Sequence, residues 1–476
     1  MKHRWRGLSL VALICFCATA ARAATPEPGV QLIGRALVSG AALDKSGLKG
    51  QSICKKDEPD VCIDQAAFGG WGSGITYTGS DNVFLAVPDR GPFDGRTDVS
   101  YKDRVHFLYI DVDPRKPVSK AIKVVLLDTR LLKNRRTPLL GDSSVFTERL
   151  DPEGIVATED KGFIVSDEYG PYIYKFDLDG KLDQRIQLPP GFQIQNPSAD
   201  IYADGTSCEI DADLNQAGRQ ANRGMEGLAI TPNGNKLVGL MQNALIQDSG
   251  LAADPNPGDH CAPTSLPPGR VGFNSRIVTI NLKNGRSQQY VYSIDAINQG
   301  RGQNEILAVN HHEFLVLERD NRTLIPTPPN TAAAPNEKRL YRIDLNEPGL
   351  TDVSGIYNLP ATASDLATAG IKGVTKHLFL DLLNDAYTID GVPLKNLIAE
   401  KVEGIAWGPD LRDGRHLLLV TTDNDLFAGD ETHPDGLPTQ VYAFAIDGKA
   451  AGIHYVPQDM KGPFFPPGRV SNIVGK

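Results

Sequence analysis

The chain has 476 residues, with 49 Lys and Arg against 58 Asp and Glu, for a formal charge of −9. Hydrophobic residues make up 41% and charged residues 22%, enough apolar material for a large core, while 47 Gly and 33 Pro supply many turns. The acidic balance excludes nucleic acid and anionic membrane surfaces as natural partners, and no run past the N-terminus is long and apolar enough to span a bilayer.

In chain order, residues 1–23 read as an export signal. Lys2, Arg4 and Arg6 form a basic start, residues 8–20 are apolar, and Ala21-Arg22-Ala23 is a small-residue cleavage site. Cleavage after Ala23 leaves 45 basic against 58 acidic side chains, a net −13, and a secreted or periplasmic protein. Four cysteines remain: Cys54, Cys62, Cys208 and Cys261. They allow three pairings; Cys54–Cys62 would close a short loop and Cys208–Cys261 would staple a longer insertion. None has the C-x-x-C spacing of a zinc or redox site.

A short phrase then returns along the chain: Glu153-Gly154-Ile155, Glu226-Gly227-Leu228, Glu305-Ile306-Leu307 and Glu403-Gly404-Ile405. About ten residues after each comes an apolar run that ends in polar groups. Those ends are Ser166-Asp167-Glu168, Gln242-Asn243, Glu318-Arg319 and Asp423-Asn424. An earlier unit has Ser73-Gly74-Ile75 in place of the acid and ends at Asp89-Arg90. Each unit reads as four strands, clearest where Tyr172 to Asp177 alternates and Asp179-Gly180 marks a hairpin. Four antiparallel strands repeated around an axis make an all-β propeller, here of five or six blades. The run Val30–Val38 is expected to pair with the last blade or to belong to a sixth. Residues 191–223, 244–274 and 323–337 read as long rim loops, and the spacing of Leu378, Leu382 and Leu383 predicts a short helix over 377–387. Expected boundaries are an N-terminal segment at 24–65, the propeller at 66–460 and a tail at 461–476.

Five phrases carry a resemblance: residues 69–75 (Gly-Gly-Trp-Gly-Ser-Gly-Ile), 88–91 (Pro-Asp-Arg-Gly), 222–228 (Asn-Arg-Gly-Met-Glu-Gly-Leu), 317–320 (Leu-Glu-Arg-Asp) and 402–406 (Val-Glu-Gly-Ile-Ala). Together and in order, over about residues 66–446, they resemble the phytase-like family, described by an esterase-like activity of phytase. The resemblance implies a repeated β domain rich in acids, with hydrolase or phosphodiesterase activity.

The residues suggest how such chemistry would run. Carboxylates converging in a narrow channel must be protonated, paired or metal-bound. Asp89, Glu153, Glu226, Glu305, Glu318 and Glu403 are the expected metal ligands, and an oxygen-only set favours calcium. Arg90, Arg319 and Asn243 are expected to hold substrate, the arginines gripping phosphate oxygens. Asp167, Glu168, Asp423 and Asn424 are expected to orient an attacking water. The expected protein is a monomer hydrolysing phosphoesters. The alternatives are a calcium-dependent esterase or lactonase, and a non-catalytic propeller in which the acids bridge blades.

Overall fold

A computed structural model describes residues 24–95, 97–141, 148–195, 217–220, 222–251, 270–271, 274–294, 302–325, 332–427, 436–464 and 469–474. Residues 1–23, expected to be an export signal, together with Cys208, Cys261 and most of the two longer expected insertions, lie outside these residues.

The described residues form five four-stranded antiparallel sheets, each a propeller blade. Blade 1 comprises Gly74–Tyr77, Val83–Val87, Arg104–Val112 and Ile122–Leu131 from the axis outward. Blade 2 comprises Pro152–Ala157, Phe163–Asp167, Tyr172–Phe176 and Leu182–Gln187. Blade 3 comprises Met225–Ile230, Lys236–Met241, Asn274–Asn281 and Ser287–Ser293. Blade 4 comprises Gly302–Ala308, Glu313–Arg319, Lys338–Asp344 and His377–Asp381. Blade 5 comprises Val402–Trp407, His416–Thr422 and Thr439–Ile446, and its outer strand is Val30–Val38. That strand pairs from Val30 opposite Ile446 to Val38 opposite Thr439, so it completes the fifth blade. The two ends of the propeller are therefore tied in one sheet, which removes the open edge that a last blade would otherwise expose.

The spacing over 377–387 does not give a helix. His377–Asp381 is the outer strand of blade 4, with Leu380 opposite Leu340 and Arg339 opposite Asp381. Pairing with an existing sheet edge overrides a local periodicity that covers barely two turns. A short helix does occur at Ala363–Thr368, where the Thr362 hydroxyl accepts from the Asp365 amide at 3.2 Å.

Apolar side chains collect between blades. Leu85 and Phe107 of blade 1 pack with Ile155, Phe163 and Tyr174 of blade 2. Similar clusters join blades 2 and 3, 3 and 4, 4 and 5, and 5 and 1. Each fully buried Leu, Val or Phe contributes about 1.5–3 kcal/mol, so these seams hold the ring together. The glycine of the repeat phrase belongs to the same packing. A Cβ on Gly74 would meet the Glu153 carbonyl oxygen at 2.0 Å, and one on Gly154 would meet the Leu228 nitrogen at 2.5 Å. Glycine is needed at these two positions because the inner strand there lies directly against the backbone of the next blade.

Candidate functional site

The inner strands of blades 2 to 5 each slip register where the repeat acid falls: between Pro152 and Ile155, Met225 and Gly227, Gln303 and Glu305, and Val402 and Ile405. Blade 1, which has no acid there, pairs without a slip. A bulge re-aims the side chain it carries. Matching the blades on their paired residues puts Glu153, Glu226, Asn304 and Glu403 at one position, with Ser73 in blade 1. The same match puts Asp89, Glu168, Gln242, Arg319 and Asp423 together where the second strands leave the ring.

Cross-blade contacts join these two sets. Arg319 Nη2 donates to Glu403 Oε1 at 2.6 Å, and Gln242 donates to Glu226 within blade 3. The Arg90 amide donates to Asp151 Oδ1 at 2.7 Å. The Arg90 guanidinium stands 3.4 Å from Asp151, 3.7 Å from Asp89 and 3.8 Å from Glu168. It therefore lies between two acidic groups, Asp151, Glu153 and Glu168 on one side and Asp89, Asp423 and Asp425 on the other, each with oxygens within 4.8 Å of one another. Lys401 pairs with Asp425 and lies 3.7 Å from Asp423.

Counter-charge does not satisfy these acids. Burial, then repulsion from Glu226, Asp151 and Glu168, lifts Glu153 well above the usual carboxylate range. Burial, then Glu168 and Glu403, does the same for Glu226. Asp89 and Asp151 are each pushed up to about 7, chiefly by burial and against the pull of Arg90. Glu168 Oε1, Asp423 Oδ1 and both amide atoms of Asn304 are buried with no hydrogen-bond partner among the described residues. Buried polar atoms of this kind are ordinarily partnered, so three such side chains in one channel call for a ligand.

Residues 66–426 match the family model described as phytase-like, esterase-like activity of phytase. The chain belongs to the phytase-like family. An uncharacterized secreted protein of Arthroderma benhamiae is 31% identical to it over 262 residues, which are 46% of this chain and 49% of that protein. The chain thus spans about half the length of that relative. Among solved structures, a luciferin-regenerating enzyme is 10% identical with a TM-score of 0.33, covering 83% of this chain and 97% of its own. Regucalcin of Agrobacterium tumefaciens strain C58, titled a calcium-binding protein, is 9% identical with a TM-score of 0.32, covering 83% and 95%. Similarity at that level carries no argument about function.

The phytase-like channel holds most of the residues singled out from sequence, but not all in the expected places. Glu305 takes the position of Gly154 and Gly227, and its carboxylate accepts from the amides of Leu228 at 2.8 Å and Ile306 at 2.9 Å. It stitches blade 4 to blade 3. The repeat was matched on the acid, whereas the fold matches on the bulge, one residue earlier at Asn304. Glu318 turns outward to the Tyr292 hydroxyl at 2.7 Å and Lys376 at 2.6 Å. Asp167 accepts from the amides of Asp151, Tyr169 and Gly170, each at 3.0 Å, and shapes the turn after the second strand of blade 2. Asn424 accepts from the Gly70 amide and donates to the Leu437 carbonyl, both at 2.6 Å, pinning blade 5 to blade 1. Asn243 is buried where the second strand of blade 3 ends. Sequence reading missed Asp151, Asn304, Lys401 and Asp425. Asp151 was the most accessible of these, lying two residues before a repeat Glu, in step with its side of a strand.

The donors that remain fit a hard divalent cation. They are oxygen-only, several are carboxylates, and three carry unsatisfied atoms. The Cys54–Cys62 disulfide joins the two strands of a hairpin at Ser52–Lys55 and Glu58–Asp64. Ile53 of that hairpin packs on Ala67, Tyr101 and Leu426, roofing the seam between blades 1 and 5. Among the described residues no helix is long and apolar enough to cross a membrane.

Proposed function

We propose that this phytase-like propeller is an exported, calcium-dependent hydrolase of esters, with phosphoesters favoured. The observation that supports it most is the trio Asp151, Glu153 and Glu168, fully buried, crowded within 4.8 Å and retaining an unpartnered carboxylate oxygen on Glu168. Burying that much like charge without a counter-ion is costly, and a cation removes the cost. Asp151, Glu153 and Glu168 would hold the ion, with Glu226, Glu403 and Asn304 across the channel. Asp89, Asp423 and Asp425 form the second acidic group. A bound cation would polarise the ester oxygen and lower the pKa of a water. Asp89, outside that ligand trio and pushed up to about 7 chiefly by burial, lies in the range where a carboxylate accepts a proton efficiently at neutral pH. Arg90 and Arg319 anchor these acids, and Asp167, Glu305 and Asn424 hold the backbone that presents them.

The test is thermal melting of residues 24–476 with calcium and with chelator, followed by turnover of aryl phosphomonoesters, phosphodiesters and acetates. A calcium-dependent rise in the midpoint with calcium-dependent phosphoester turnover is the expected result. No shift and no turnover would reject the proposal in favour of a non-catalytic propeller. One observation favours a carboxylic esterase or lactonase as the second reading. Arg90 and Arg319 are already engaged by carboxylates, so neither offers a vacant fork to phosphate. Turnover of acetates alone would select it.

A further inference from the structure

After the last strand of blade 5 the chain turns back under the ring, and residues 454–460 meet every blade. The Val456 amide donates to the Val309 carbonyl of blade 4 at 2.8 Å, and the His454 carbonyl accepts from Asn310 at 3.1 Å. The centre of the Tyr455 ring lies 4.4 Å from that of Trp407 and 5.0 Å from that of His416, both of blade 5. Gln458 donates to the Ala157 carbonyl of blade 2 at 2.8 Å, and the Asp459 amide donates to the Pro232 carbonyl of blade 3 at 2.8 Å. Met460 lies on Gly79 of blade 1, where an added Cβ would meet its Cγ at 2.7 Å.

All these points lie where the inner strands end. Ala157 and Trp407 are the last residues of their strands, and Val309, Pro232 and Gly79 follow theirs within two residues. The acids stand at the other ends of the same strands, Glu153 being separated from Ala157 by about 13 Å of chain. Residues 454–460 span at most about 20 Å, so they reach all the blades only by crossing the axis. Blade 3 at Asp459 comes between blade 2 at Gln458 and blade 1 at Met460, an order that no path around the rim follows. Apolar anchors fix the segment on opposite sides of the ring. Ile453 is buried in the seam between blades 4 and 5, and Phe464 in the seam between blades 1 and 2. Between them the chain is irregular, with Tyr455, Val456, Gln458 and Met460 half-buried.

We infer that residues 454–460 are a strap that closes the channel at the end away from the acids, so that cation and substrate reach the acidic site through the opposite mouth alone. This rests on the hydrolase reading only for which ligands enter. The middle of the strap is held by single hydrogen bonds and one ring contact, so it can lift while its apolar anchors stay. Each inner strand pairs on one side only, so alternate amides face the channel outside the ladder. Their protection from exchange depends on water being kept out. A lifted strap opens a second route to the same site. A second route raises the rates of entry and exit by one factor and leaves the equilibrium affinity alone.

The experiment compares residues 24–476 with the variant Tyr455→Ala/Gln458→Ala. The lost ring contact and hydrogen bond together should raise the population of the lifted strap by about tenfold. Hydrogen exchange in chelator should quicken by that factor in the inner strands, and not in the outer strands of blades 2 and 3, which exchange by fraying at the rim. Stopped-flow calcium capture, and calcium release to a chelator, should quicken by one common factor with Kd unchanged. Gln458→Ala alone, which removes one half-buried hydrogen bond, should show the same pattern at about threefold. Inner-strand exchange equal to wild type in both variants, or an equal quickening in the outer strands, would overturn the closure and leave the segment a brace. A weaker calcium affinity without matched changes in both rates would overturn it too, because the segment would then act by distorting the site. Faster inner-strand exchange in a protein that ignores calcium would keep the closure and remove the calcium-dependent hydrolase reading instead.

Discussion

Neighbouring residues of one blade separate the roles that a carboxamide and a carboxylate take in this channel. Glu305 has the charge, but two backbone amides take up its carboxylate. Asn304 has no charge, yet its amide is buried with both atoms unsatisfied, at the position that Glu153, Glu226 and Glu403 occupy elsewhere. Glu226→Gln or Glu153→Gln should weaken calcium by at least about tenfold, as expected for losing a charged contact. Glu305→Gln should leave calcium affinity unchanged and lower stability by about 1–3 kcal/mol, because it weakens a buried bridge between blades. Asn304→Asp should tighten calcium binding and destabilise the calcium-free protein by adding a fourth acid to the ring. Calorimetry and denaturant melts on the four variants decide these outcomes. Had Glu305 rather than Asn304 governed calcium affinity, the placement of the ring would be wrong. The acids were legible from the repeat, but which one faces the channel depended on a bulge that no spacing announces.

Among the elements, the inner strand carries the most information. Its glycine lets the next blade approach, its bulge turns the acid inward, and a hydroxyl from the second strand joins the two blades. Ser166 donates to the Glu226 carbonyl at 2.8 Å, and Thr421 donates to the Gly72 carbonyl at 3.0 Å, in equivalent places. Gly154→Ala should therefore destabilise by about 1–3 kcal/mol through overpacking against Leu228, read from urea midpoints at constant slope. The alternation in the third strands was enough to find them, because each pairs on both sides and buries one face or both. The outer strand of blade 4 was misread because its five residues show no alternation. Leu378 is exposed while Phe379 and Leu380 are both buried.

The whole molecule sets the charge balance, and with it the response to pH. Asp89 and Asp151 have folded pKa values near 7, above their unfolded values, so the calcium-free fold binds more protons than the unfolded chain between about pH 4 and 7. Stability in chelator should fall as pH rises through that window. Calcium needs the same carboxylates ionised, so its affinity should rise over the window, with protons released on binding. Melting midpoints from pH 4 to 8, with calcium and with chelator, test both signs; a calcium-free midpoint that climbs with pH would contradict the buried-acid account. The repeat phrase, the alternating strands and the acidic composition determined the propeller and its abundance of carboxylates, because strand period and turn chemistry are local properties. Only the closed ring decided the number of blades, the side of the ring each acid faces, and which arginines are already engaged. Those depend on register and on contacts between residues hundreds of positions apart, such as Val30 against Ile446, which no local pattern encodes.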